Sequence, residues 1–139
     1  MDLLYNIGAC FAYGVVGTLL MAVGYVLVDL LTPGKLHELI WVQRNRNATL
    51  IVSANTLGTA IVVASAILAS EVGLVDGLIT TAVYGLVGLV LMLASFLILD
   101  ALTPGKLGSI VNETELHPAA WVNASAHFAV AVVVAAAIS

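Results

Sequence analysis

Asp29-Leu30-Leu31-Thr32-Pro33-Gly34-Lys35-Leu36 returns 71 positions later as Asp100-Ala101-Leu102-Thr103-Pro104-Gly105-Lys106-Leu107. The match runs outward from this octapeptide without a gap. Upstream, Tyr13-Gly14, Val16-Gly17 and Leu20-Met21 reappear as Tyr84-Gly85, Val87-Gly88 and Leu91-Met92. Downstream, Val62-Val63-Ala64 and Ala66-Ile67 reappear as Val133-Val134-Ala135 and Ala137-Ile138. Self-similarity at one fixed period marks a duplicated structural unit, so the fold has to use that unit twice. The division expected is residues 1–71 and 72–139.

Composition fixes the solvent. Apolar residues make up 62% of the chain and charged residues 9%, against roughly a quarter charged in a soluble domain. No Asp, Glu, Lys or Arg occurs in 3–28, 47–70, 77–99 or 116–139. Each of these windows is long enough to cross a hydrocarbon core, which takes roughly 20 helical residues. The expectation is an all-α integral membrane protein with four transmembrane helices, at about 7–31, 48–70, 76–101 and 119–138. The start Met1-Asp2 lacks the positive n-region of a cleavable signal, so the first segment reads as a retained helix. A single cysteine, Cys10, excludes an intramolecular disulfide framework and reads as a small apolar helix residue. A net charge of −4 leaves no basic patch for nucleic acid.

The connection around Glu71–Asp76 is short and acidic. Segments 32–47 and 102–118 hold Lys35, Arg44, Arg46 and Lys106, every positive charge in the chain. Positive loops stay cytoplasmic, which places both of these loops inside and both termini outside. Two helices per unit give both units the same orientation, hence two parallel two-helix repeats related by a pseudo-two-fold along the membrane normal. In the loops, Thr32-Pro33 and Thr103-Pro104 have the chemistry of helix starts, a capping hydroxyl followed by proline, with Gly34 and Gly105 next in the turn. Leu36, Leu39 and Ile40 then share a face, as do Leu107, Ile110 and Val111. Each loop is therefore expected to carry a short amphipathic segment at the cytoplasmic interface.

Several residues invite a chemical reading. Asp29 and Asp100 occupy equivalent places near the cytoplasmic ends of helices 1 and 3, where a carboxylate pair would draw cations or protons toward a pathway. The plainer reading is that each accepts hydrogen bonds from its own Thr-Pro-Gly turn, or pairs with Lys35 or Lys106. Gly34-Lys35 lacks the upstream glycine and following Ser/Thr of a phosphate loop, so Lys35 and Lys106 are expected to meet lipid phosphates. Asn55 with Thr59, and Asn123 with His127, each lie four apart on one helix face and mark the inward faces of helices 2 and 4. His127 is the one residue of this group that titrates near neutral pH, which suits a proton relay, although interhelical hydrogen bonding is the commoner use. His127 aligns with Thr56, so a polar site there would be asymmetric. Glu113, Glu115 and His117 crowd before Pro118 without a fourth ligand and read as a solvated acidic loop. No nucleophile and base stand at catalytic spacing, so neither enzyme activity nor a metal or other cofactor is expected.

The duplicated Asp-x-Leu-Thr-Pro-Gly-Lys-Leu segment, each copy after a Gly-rich span, resembles the domain of unknown function 350 family. The resemblance covers nearly the whole chain. It implies a small multi-pass protein of the bacterial inner (plasma) membrane, built from tandem two-helix units, with no established activity and an association with envelope stress. After Leu107 the second unit departs from the first, and Trp41 and Arg44 have no like counterpart, which argues against a strictly symmetric mechanism. Two functions are consistent with these features. One is a small ion or solute conduit, or an accessory subunit of one, with Asp29 and Asp100 at its cytoplasmic mouth. The other is a non-conducting membrane-organising or docking protein with a soluble cytoplasmic partner. Small faces built from Gly14, Gly17, Gly85 and Gly88 point to close packing in the bilayer and to a homo-oligomer in either case.

Overall fold

A computed structural model describes residues 2–32, 34–70, 72–102, 107–111 and 113–139, the side chains of Leu107 and Gly108 excepted. Among these residues the chain is helical throughout its ordered elements. Four helices are long and apolar enough to span a membrane: α1 Asp2–Leu31, α2 Arg46–Leu68, α3 Leu74–Leu102 and α4 Pro118–Ile138. The four apolar windows are thus four helices, and α1 starts five residues before the charge-free pattern places it. In lipid this is the expected outcome, because a helix satisfies its backbone hydrogen bonds internally. At 1.5 Å per residue, α1 with 30 residues and α3 with 29 exceed a core of about 30 Å by roughly 14 Å. The 23 residues of α2 and 21 of α4 fit it closely.

The starts of α2 and α4 have visible causes. Asn45 caps α2, its side-chain oxygen accepting from the Ala48 N–H at 3.0 Å. His117 caps α4 through Nδ1, which accepts from the Ala119 N–H at 3.0 Å, and Pro118 takes the first helical position. At the other end of α2, Ser70 Oγ donates to the Ile67 carbonyl at 2.7 Å and lies 3.3 Å from the Tyr13 hydroxyl, tying the start of α1 to the end of α2.

The two long connections differ from expectation in one respect. Thr32 does not start a loop helix. Its hydroxyl donates back to the Val28 carbonyl at 2.8 Å, alongside its own N–H at 3.0 Å, so it closes α1. Gly34 follows at φ 93°, in the left-handed region that favours glycine. A π-helical turn then runs Glu38–Val42, with the Gln43 N–H reaching the Glu38 carbonyl five residues back at 3.0 Å. The equivalent segment in the second connection is a short α-helix, Leu107–Val111. Pro33, Thr103, Pro104, Gly105 and Lys106 lie outside the described residues.

The expected apolar face of the first loop exists, but it turns onto the bundle. Leu36 and Leu39 are buried, and Leu39 joins Ala48, Ile51, Phe96 and Val111 in a cluster that seals the loop end. Further along, Val62, Met92, Ala131 and Val134 form a second cluster, and Leu20, Val63 and Leu89 a third. Helix α2 is the most buried of the four and packs most extensively on α4. Helices α1 and α3 pack on α2 and on each other, while α1 and α4 scarcely touch. Part of the packing recurs at the 71-residue spacing of the sequence match. A methyl placed on Gly17 would stand 3.3 Å from Val63 and 3.8 Å from Ile67; on Gly88 it would stand 3.5 Å from Val134 and 3.1 Å from Ile138. Each of those partners is 71 positions from its counterpart. Lipid tails are as apolar as leucine, so such close approach, through dispersion, is what holds these helices together.

Candidate functional site

Polar groups inside the bundle converge on one place. Asn55 and Thr59 of α2 and His127 of α4 are all buried and line a cavity of about 20 Å³, together with Gly24, Met92 and Phe96. That volume accommodates roughly one water molecule. The Thr59 hydroxyl is buried without a hydrogen-bond partner among the described residues, and such a group in hydrocarbon costs several kcal/mol unless water or a ligand reaches it. Gly24 permits the closeness, since a methyl there would lie 2.9 Å from Thr59 Cγ2. The His127 ring packs on Phe96 with centroids 4.6 Å apart at 58°, which fixes one face of the imidazole.

Asn123, four residues before His127, is not part of this cluster. Its amide donates to the Ala119 carbonyl of its own helix at 3.1 Å, and the side chain is half-buried. Thr81 in α3 is the other buried hydroxyl without a partner among the described residues.

Asp29 is half-buried and engaged locally. Its Oδ1 accepts from the Leu36 N–H at 2.7 Å, capping the turn that follows α1. Asp100 is half-buried at the equivalent place on α3, and the Thr103–Lys106 turn after it lies outside the described residues. Lys35 is exposed at the loop surface.

A second constellation, which sequence reasoning missed, lies where the loops meet. Asn47 is wholly buried, and its Nδ2 donates to the carbonyls of Ile110 at 3.0 Å and Glu115 at 2.9 Å, with Glu113 at 3.4 Å. Its Oδ1 accepts from the His117 N–H at 2.9 Å. Asn45 adds bonds from its Nδ2 to the carbonyls of Val111 and, at 3.4 Å, Glu113. Two amides at the start of α2 thus hold the whole segment that leads into α4. Glu113 and Glu115 contribute backbone oxygens to this clasp. Among the described residues, no group of three or more His, Cys, Asp or Glu is placed to hold a metal ion.

On the outside, the π turn presents Trp41 and Val42, each 71% exposed, and Lys35 and Arg44 of the same connection are exposed as well. Arg44 takes φ 52°, an uncommon conformation for a non-glycine residue, just before the Asn45 cap.

These features define an all-helical, four-span membrane protein with a small polar-lined cavity inside the bundle and a clasped loop end. The chain belongs to the family described as Domain of Unknown Function (DUF350), which it matches over residues 2–138. It is 39% identical over 131 residues to a UPF0719 transmembrane protein of Mycolicibacterium paratuberculosis, covering 94% of this chain and 87% of the relative. UPF0719 transmembrane proteins of Mycobacterium bovis and Mycobacterium tuberculosis are each 38% identical over 137 residues, covering 99% of this chain and 90% of theirs. No solved structure matches the chain.

Proposed function

We propose that this chain is a non-enzymatic, non-conducting membrane-organising or docking subunit of the bacterial inner membrane. It consists of two parallel two-helix repeats, with its long loops cytoplasmic and both termini outside. The observation that carries this reading is the first long connection: Leu36 and Leu39 are buried, Leu39 packing in the cluster at the loop end, while Trp41 and Val42 of the π turn are exposed in a segment that also exposes Lys35 and Arg44. Exposed apolar and cationic side chains on one connection suit a partner or the anionic face of the bilayer. The capping role of Asp29 supports the same reading, since a carboxylate holding a backbone N–H is poorly placed to collect ions.

Homo-oligomerisation is supported by an open groove of about 410 Å³ along Cys10, Gly14 and Thr18 of α1. The matching face of α3, at Thr81, Gly85 and Leu89, is packed within the molecule. The conduit, the first of the two readings from the sequence, becomes the second here, favoured by the meeting of Asn55, Thr59 and His127 at one cavity.

Ion and proton flux in proteoliposomes separates the two. The docking reading predicts that native protein and the Asp29→Asn/Asp100→Asn variant both match empty liposomes. Flux in the native protein that the double variant abolishes would establish the conduit instead.

A further inference from the structure

We propose that the outer groove between α2 and α4 binds one phospholipid with a zwitterionic primary-amine headgroup. Its acyl chain would lie in the groove, its phosphate at Arg46 and its ammonium at Glu115. The proposal is independent of the docking reading, because it uses a different face and neither Trp41 nor Lys35.

The groove is lined by residues of different size. Ser53 and Ala54 of α2 and Ala124 and Ser125 of α4, all small, line it between the two helices. Leu57, Trp121 and Phe128, all substantially exposed, stand up on either side. The result is a slot of about 350 Å³, adjoined by a second of about 330 Å³ that shares Leu50, Ser53 and Trp121 with it and reaches Arg46. The two helices approach closely behind the slot, where a methyl on Gly58 would stand 2.8 Å from the Ala131 Cβ. From Arg46 to Leu57 the slot descends about 16 Å along α2, at 1.5 Å per residue. Half of a core of about 30 Å is one leaflet. A groove that begins at the interface and ends at mid-bilayer has the length of one acyl chain, not of a spanning helix.

Charge at the mouth selects the headgroup. Arg46 also lines a polar recess of about 520 Å³ with Thr114, Glu115 and Leu116. The backbone positions of both charged residues are fixed by the same amide. Arg46 sits between the buried Asn45 and Asn47, and the Glu115 carbonyl receives the Asn47 Nδ2–H at 2.9 Å. A guanidinium binds a phosphate through charge-assisted hydrogen bonds, and a carboxylate accepts them from a primary ammonium. A purely anionic headgroup would face Glu115 unfavourably, and a quaternary ammonium has no N–H to donate. Trp121 stands at the rim, the depth at which tryptophan meets the headgroup layer.

The test is native mass spectrometry of the full chain released from bilayers of mixed phosphatidylethanolamine, phosphatidylglycerol and phosphatidylcholine. The expected result is one retained phosphatidylethanolamine per chain. Arg46→Gln should lower that retention about tenfold, the loss of a charge-assisted contact. Glu115→Gln should shift the preference toward phosphatidylglycerol, and Ser125→Leu should reduce retention of every headgroup. Circular dichroism should show unchanged helix content in each variant. Retention indifferent to headgroup, or unaltered in both Arg46→Gln and Glu115→Gln, overturns the proposal. So does a Ser125→Leu variant that loses its oligomeric state and keeps its lipid, since a second copy would then be what covers the slot.

Discussion

Asn47 is the residue on which most of the loop end depends. Its amide and carbonyl oxygen reach a segment 63 to 70 residues away, entirely through backbone groups. Asn47→Ala should destabilise the protein by about 1–3 kcal/mol, because it strands the buried Ile110 carbonyl and removes the bonds to the Glu115 carbonyl and the His117 N–H. Thermal unfolding in mild detergent checks this, and an unchanged midpoint would show the clasp to be dispensable. Nothing in the sequence marked this residue. An asparagine in a polar loop is unremarkable, and backbone acceptors leave no side-chain pattern to pair it with. Asn55, Thr59 and His127 were legible for the opposite reason: a polar group in an apolar span has to face inward. Asn123 obeyed the same spacing yet bonds its own helix, which spacing alone does not distinguish.

At the scale of the element, the glycines of the repeat divide into covered and open ones. A methyl on Gly88 would collide with Val62, whereas around Gly14 nothing lies within 4 Å. Gly88→Leu should therefore cost about 1–3 kcal/mol or more of bundle stability, as overpacking does. Gly14→Leu should leave the bundle intact and lower the oligomeric state. Light scattering and unfolding on the two variants, side by side, measure this; equal loss of stability in both would make α1's outer face part of the monomer core. The helices themselves were evident from four charge-free windows, since hydrophobicity and length decide a membrane span. The π turn was not, because an i→i+5 bond arises from how Leu39 and its neighbours seat on the bundle. Thr32 ended a helix rather than starting one because its hydroxyl found the Val28 carbonyl four residues back.

For the whole molecule, the proposed topology, with the long loops inside and both termini outside, rests on the charge placement. Lys35, Arg44 and Lys106 fall in the two long connections and Arg46 at the first residue of α2. In a Cys10→Ser background, a cysteine at Ser139 should react with a membrane-impermeant thiol reagent in intact cells, and one at Gln43 only after permeabilisation. The reverse pattern would invert the protein in the bilayer. Packing departs from strict symmetry even so. Leu20 of α1 covers Gly85 of α3, while Gly14, the counterpart of Gly85, is open. The repeat in the sequence showed which residues correspond. It did not show which of each corresponding pair would be covered, because that depends on how one unit leans against the other.

The clasp at Asn47 also imposes an order in time. Its hydrogen-bond partners, residues 110–117, emerge from the ribosome only after α3 has been made. A nascent first hairpin therefore enters the bilayer with a carboxamide at the head of α2 that has no protein acceptor. Two genes each encoding one hairpin would expose that amide until the halves met by diffusion. Joining the hairpins in a single chain limits the wait to the synthesis of some 70 residues, at roughly 5–20 residues per second a matter of seconds. The clasp at Asn47 thus closes only once the segment that supplies its acceptors has been synthesised.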